Sequence, residues 1–242
     1  MMDSPKDRTR LWVSDSTYCC IRGVYRKTNY TFTQAGSCTS CQQRDGGTPQ
    51  ARIGSPVGLV THLLNPDKTF FYDNKYKSVK CLCHNNGKWQ VNTVFSWTKE
   101  VNSISLDSSG QYLYVTEQSN IFRIKSTWQD GYESVIESEA GHNDGRLSTA
   151  KVNNPKGMIF VNDDLFLLAD FGNNVLRLVD LIETKISSIC IPHSNADEIP
   201  VSSDITSCKI NSPFYFYKKR RSSSISILGK SDAYQLFYSG WS

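Results

Sequence analysis

The sequence has no run approaching 18 consecutive apolar residues, so no helix in it is built to span a membrane. Its first residues, MMDSPKDRTR, hold no apolar core of the kind an export signal carries. No 3.6-residue periodicity persists for long, which argues against a helical fold. Met is scarce, with 3 among 242 residues, whereas aromatics reach 12% and are mostly Tyr and Phe. That balance favours strands. HExxH spacing, a GxSxG elbow and a P-loop are all missing, so none of these motifs points to a zinc hydrolase, a serine hydrolase or a nucleotide-binding enzyme. No metal or other cofactor is expected.

With 38% hydrophobic and 21% charged residues the chain can bury a core, and its length suits one large all-β domain or two small ones. The net charge of +4 comes entirely from the end. Residues 201–242 hold six basic and two acidic residues, and the first 200 hold 21 of each. A chain dedicated to nucleic acid is usually basic throughout.

Internal repeats organise what remains. GGTPQARIGSPVGLV from Gly46, GRLSTAKVNNPKGMI from Gly145 and SDITSCKINSPFYFY from Ser203 align on Pro56, Pro155 and Pro213. KEVNSISLD from Lys99 is a degenerate copy without the Pro. A second signature follows, read as strand, acidic residue, polar tip, strand. Its acidic residues are Asp15, Asp73, Glu117 and Asp170, and its basic ones are Arg22, Lys80, Arg123 and Arg177. The spacing within each pair is 7, 7, 6 and 7 residues, and the acidic anchors recur after 58, 44 and 53. That period fits a four-stranded propeller blade. In each blade strand a follows the Pro, b ends at the acidic residue, c carries the basic one, and d follows a tight turn such as Asn86-Gly87 or Asp130-Gly131. Each acid–base pair then spans one b–c tip and reads as a structural ion pair.

The chain resembles the NHL-repeat family of β-propellers. The resemblance rests on the Gly-rich lead-in, the Pro-x-Gly start of strand a, the acidic end of strand b and the basic residue of strand c. Residues 141–181 carry it best. It implies an all-β β-propeller with four-stranded antiparallel blades over residues 10–242, after a disordered tail at 1–9. Family propellers usually have six blades, as in TolB-like rings, and sometimes five. Here about five blades are expected. Three are complete, at 56–97, 101–141 and 155–191, and two are partial, so the chain reads as a piece of a longer propeller. YQLFYSG closes it as a truncated copy of the second-strand signature.

In an antiparallel meander the b–c tips and d–a connectors share one face, and loops on a rigid scaffold are where binding usually resides. The tips contribute Tyr18, Tyr76, Phe171, Asn173 and Asn174. The connectors contribute Arg44, Asp45, His142, Asn143 and Asp144. Taken singly, each is more readily an ordinary solvated loop residue, and it is the face as a whole that reads as a binding surface. The resemblance implies a non-enzymatic module that binds a protein partner through this face, with no small-molecule substrate. RNA is the alternative partner, as in tripartite-motif relatives. The run Lys218-Lys219-Arg220-Arg221 is a basic patch for that reading, against a solvated a–b loop. A third reading, a propeller lyase or lactonase, would need inward metal ligands, and no such set is visible.

Eight cysteines fall in groups: Cys19 with Cys20, Cys38 with Cys41, Cys81 with Cys83, then Cys190 and Cys208. Zinc would need two ligand pairs to converge, but Cys38 and Cys41 map to the tip face and Cys81 and Cys83 towards the opposite end. In the blade frame, one of the vicinal pair is placed to bridge to Cys38 or Cys41, and Cys190 and Cys208 flank one connector. Disulfides imply an extracellular or cell-surface setting, with a cytoplasmic protein of reduced thiols as the alternative. Asn29-Tyr30-Thr31 is a glycosylation sequon and so a candidate modification site.

Overall fold

A computed structural model describes residues 11–62, 64–65, 67–125, 127 and 131–189 in full. It describes residues 2–3, 10, 213–218, 224–229 and 233–237 as backbone strands. The architecture is all-β, in successive antiparallel sheets. The first contains β1 (Met2–Asp3), β2 (Arg10–Asp15), β3 (Cys20–Tyr25) and β4 (Thr31–Gly36) in chain order. The second sheet has the short strand β5 (Gly46–Gly47), then β6 (Pro56–Thr61), β7 (Lys68–Asp73), β8 (Ser78–Asn85) and β9 (Lys88–Ser96). The third is β10 (Ser103–Leu106), β11 (Tyr112–Glu117), β12 (Asn120–Lys125) and β13 (Tyr132–Ile136). The fourth repeats the second: β14 (Gly145–Arg146), β15 (Gly157–Phe160), β16 (Leu165–Asp170), β17 (Val175–Asp180) and β18 (Lys185–Ile189). A three-stranded sheet closes the series with β19 (Pro213–Lys218), β20 (Ser224–Gly229) and β21 (Ala233–Phe237).

The strand roles read from the repeat hold. Asp15, Asp73, Glu117 and Asp170 each end a second strand, and Arg22, Lys80, Arg123 and Arg177 each lie in a third. Three boundaries differ. Met2 and Asp3, inside the expected tail, pair with Trp12 and Leu11, so the first sheet has a strand a. In the second and fourth sheets the connector adds an outer strand, β5 on β9 and β14 on β18. Two residues show no periodicity, so neither was readable. YQLF falls on the third strand of the last sheet, where the repeat pattern had placed a second strand. Lys218 ends β19, and Lys219, Arg220 and Arg221 lie outside the described residues.

Strand b is the apolar axis of the second, third and fourth sheets. β7, β11 and β16 are buried at every position but the first. A strand covered on both faces loses the alternation that a half-exposed strand shows. Strands on the outside, such as β9 and β13, keep more exposed positions. The Asn86-Gly87 turn has φ of 49° and 78°, the doubly left-handed backbone that a two-residue hairpin requires. Asp130 lies outside the described residues, and its neighbour Gly131 has φ 74°.

The chain divides into two compact units, residues 1–112 with 125–130, and 113–124 with 131–242. In the first, Trp12, Ile21, Phe71, Leu82 and Val91 share one buried cluster with Ala35, Ala51 and Ile53. Trp12 meets Phe32 and Trp89 edge-on, at centroid distances of 6.2 and 5.8 Å. The second unit has its own aromatic triangle of Tyr114, Phe160 and Phe166, with centroids 4.7 to 5.7 Å apart. No helix among the described residues is long and apolar enough to cross a membrane.

Trp12→Ala should remove the centre of the first cluster. A loss of about 3–5 kcal/mol is expected for a buried Trp. Urea unfolding monitored by circular dichroism measures it, and a loss below about 1 kcal/mol would mean Trp12 is not a core residue.

Candidate binding face

One polar arrangement occurs twice, and it fixes the connectors. In the fourth sheet Arg177 is buried, and its guanidinium forks. Nη1 donates to Asp170 at 2.8 Å, and Nη2 donates to Asp144 and to the Asn143 carbonyl. Asp144 also accepts from the Ser188 amide and hydroxyl, which ties β14 to β18. Asp170 accepts from the Asn153 amide, just before strand a. Burial pushes the Asp170 carboxyl up from its ordinary value, while the Asn153 amide, Asn173 and Arg177 pull it down.

The second sheet repeats this with different residues. Lys80 is buried and donates to Asp45 at 2.8 Å and to Thr93. Asp45 accepts from the Thr93 amide, as Asp144 does from Ser188. Asp73 accepts from the Gly54 and Ser55 amides. The expected Asp73–Lys80 pair is therefore replaced by Asp45–Lys80. A guanidinium reaches two carboxylates at once, but the single ammonium of a lysine in the same register serves one. Burial works against the Asp45 charge, and Lys80 with Thr93 outweighs it, so the carboxyl sits below its usual value.

The basic residues of the other two sheets also take partners beyond the expected b–c tip pair. Arg22 lies 3.7 Å from Asp15 and donates to Thr33. Arg123 donates to Glu133 at 2.6 Å, on the neighbouring strand. Burial works against the Arg123 charge, and hydrogen bonds with Tyr114 and Glu133 outweigh it, raising its pKa.

Tips and connectors do lie together. Tyr76 Oη and Lys75 Nζ both donate to the Cys41 carbonyl, and Asn173 Nδ2 donates to the Gly141 carbonyl. Gly54 fits beneath the second tip: a Cβ there would come 2.6 Å from Asp73 Oδ1 and from Tyr76. In the fourth sheet the sizes are exchanged. Gly172 occupies the tip, and the Asn153 side chain fills the space a Cβ would take.

This packing sorts the expected binding residues. Asp45 and Asp144 serve the frame. Arg44 Nε donates to the Gln50 carbonyl, and Asn143 donates to the Thr149 carbonyl. His142 shares a 3.1 Å hydrogen bond with Ser188. Asn174 has left-handed backbone at φ 55° and closes the 3-10 turn begun by Phe171. Tyr18 is 58% exposed at the first tip. Sequence reasoning passed over a cleft of about 470 Å³ in the second unit, lined by Gln118, Ser119, Asn120, Ser138, Glu139 and Asn154 among others. Its only sequence signal was the polar Glu117–Asn120 tip.

Three cysteine pairs stand at disulfide distance: Cys19–Cys41, Cys20–Cys38 and Cys81–Cys83. The first two join the start of strand c to the chain beyond strand d. Gly36 makes the approach possible, since its φ is 88° and a Cβ there would strike the Cys19 carbonyl. Cys81 and Cys83 are two apart on one strand, so the pleat alone puts them on the same face. Cys190 and Cys208 lie outside the described residues.

The sequence matches no protein-family profile and no curated protein. Solved structures do resemble it. An auxiliary nutrient binding protein from Bacteroides ovatus superposes with a TM-score of 0.58 at 14% identity, over 94% of this chain and 65% of that one. The crystal structure of a nidogen/laminin complex gives 0.61 at 12%, over 95% and 72%. The mitotic checkpoint complex gives 0.55 at 11%, over 99% and 60%. This chain thus spans slightly less than two thirds of the nutrient binding protein. These likenesses, with the four-stranded antiparallel sheets, give the fold as a β-propeller.

Two measurements check the frame. Gly54→Ala should cost about 1–3 kcal/mol through overpacking against Asp73 and Tyr76, read by urea unfolding. An unchanged midpoint would mean the tip has room to move. The Asp45 carboxyl titrates lower folded than unfolded (about 4). Its stabilisation is therefore complete above the unfolded value and is lost as pH falls through the folded one. The stability gap between wild type and Asp45→Asn should stay constant from about pH 7 to 5 and close below about pH 4. A gap independent of pH would refute the charged pair.

Proposed function

We propose that the chain is a non-enzymatic, NHL-like propeller segment that binds a protein partner through its tip face, outside the cytoplasm. The observation that carries this is Tyr18. It is 58% exposed, its amide donates to Asp15, and the two cysteines that follow it are both bridged. An aromatic ring held out on a pinned tip loses little freedom on binding, which favours it as an interface anchor. The frame supports the same reading, because Lys80, Arg177, Asp73 and Asp170 are committed to holding loops in place. Two of the similar solved structures are themselves described as protein complexes. The compartment rests on the Cys19–Cys41 and Cys20–Cys38 pairs, which an oxidising setting preserves.

Tyr18→Ala tests this reading. An exposed substitution should leave stability within about 0.5 kcal/mol. Cross-linking in the native setting should recover a protein with the wild-type chain that the variant fails to recover, and nuclease should not affect it. Nuclease-sensitive recovery with steep salt dependence would put RNA in its place.

A further inference from the structure

We propose that Asn29 is an occupied N-glycosylation site, on the end of the first blade away from the tip face. This rests on the extracellular reading above. The sequon is Asn29-Tyr30-Thr31, and the structure puts it on the hairpin between β3 and β4, where Asn29, Tyr30 and Thr31 are all exposed. Asn29 has φ 53° at the end of the turn, and the Tyr25 amide donates to the Tyr30 carbonyl just beyond. The acceptor amide therefore stands on a short, fixed, solvent-facing loop, as a glycosylation acceptor in a secreted protein does.

The second observation is independent of the sequon. The same hairpin is closed at its other end by Cys20–Cys38, and Cys19–Cys41 lies beside it. Disulfides of this kind form in the oxidising lumen through which secreted proteins pass, the compartment where N-glycans are attached. In the reaction, Asn29 Nδ2 bonds to C1 of the first sugar of a lipid-diphosphate-linked oligosaccharide. The bond from C1 to the diphosphate oxygen breaks, the lipid diphosphate leaves, and the amide gives up one proton.

Position decides what the glycan leaves free. β3 runs from Cys20 at the tip end to Tyr25 beside the turn, and six strand residues span about 20 Å. A glycan on Asn29 thus projects from the opposite end and leaves the tip face open. Beside it, Tyr30 is 62% exposed and stacks on Phe32 at 6.4 Å, so the first sugar emerges next to an uncovered aromatic face.

One digest reads the site and the compartment together. Trypsin releases residues 28–44, carrying Asn29, Cys38 and Cys41, and residues 11–22, carrying Cys19 and Cys20. Protein from its native source is digested without reduction, and glycan-releasing amidase is applied in heavy-oxygen water. The expected product is the two peptides joined by disulfides, with Asn29 deamidated and heavy oxygen incorporated. Joined peptides with an unmodified Asn29 overturn the glycan and leave the extracellular reading standing. Free thiols with an unmodified Asn29 overturn both. In cells secreting the chain, Thr31→Ala should abolish the amidase-sensitive mobility shift and Thr31→Ser should keep it. Loss in both, with secretion unchanged, would reject the sequon as the cause.

Discussion

A buried cation bonded to a connector carboxylate is the interaction on which the rest of the structure depends. Arg177 and Lys80 lie in third strands, and the acids they hold, Asp144 and Asp45, stand just before the outer strands β14 and β5. Removing one partner would strand a buried charge, which typically costs several kcal/mol. The pair therefore fixes where each connector crosses its blade, and so where strand a of that blade begins. Asp170 and Asp73 complete the frame by accepting backbone amides at that start. Loops that would otherwise sample many shapes are tied to the strands by these bonds.

The two copies show how a repeat tolerates change. The fork of Arg177 bridges two acids, and Lys80 bridges one, yet both sheets keep the fifth strand. The exchange of Gly54 under a bulky tip for Asn153 over Gly172 shows the same tolerance in packing. What is kept from copy to copy is the filled space and the satisfied amide.

Much of this was legible in the sequence because it is local. Asp15, Asp73, Glu117 and Asp170 end second strands because a short, largely apolar strand must stop at a turn, and the polar residues of that turn mark its end. Which acid each cation would take was not legible. Asp45 is 35 residues from Lys80, and the seven-residue spacing pointed to Asp73 instead. The cleft lined by Ser138 and Asn154 was invisible for the same reason, since its walls come from separated loops. Cys19, Cys20, Cys38 and Cys41 were readable as a group once strands c and d were placed, but which cysteine bridges to which was not, since that depends on the last residues of each turn.

The first blade has a further property through its disulfides. Arg26 and Lys27 lie in an exposed turn, where a trypsin-like protease can cut. Any cut between Cys20 and Cys38 leaves two chain segments joined by two bridges. The backbone would be interrupted while the hairpin ladder and the covalent connection both persisted. Nicking at this turn thus changes the number of chain ends without dividing the molecule, and only reduction would release the pieces.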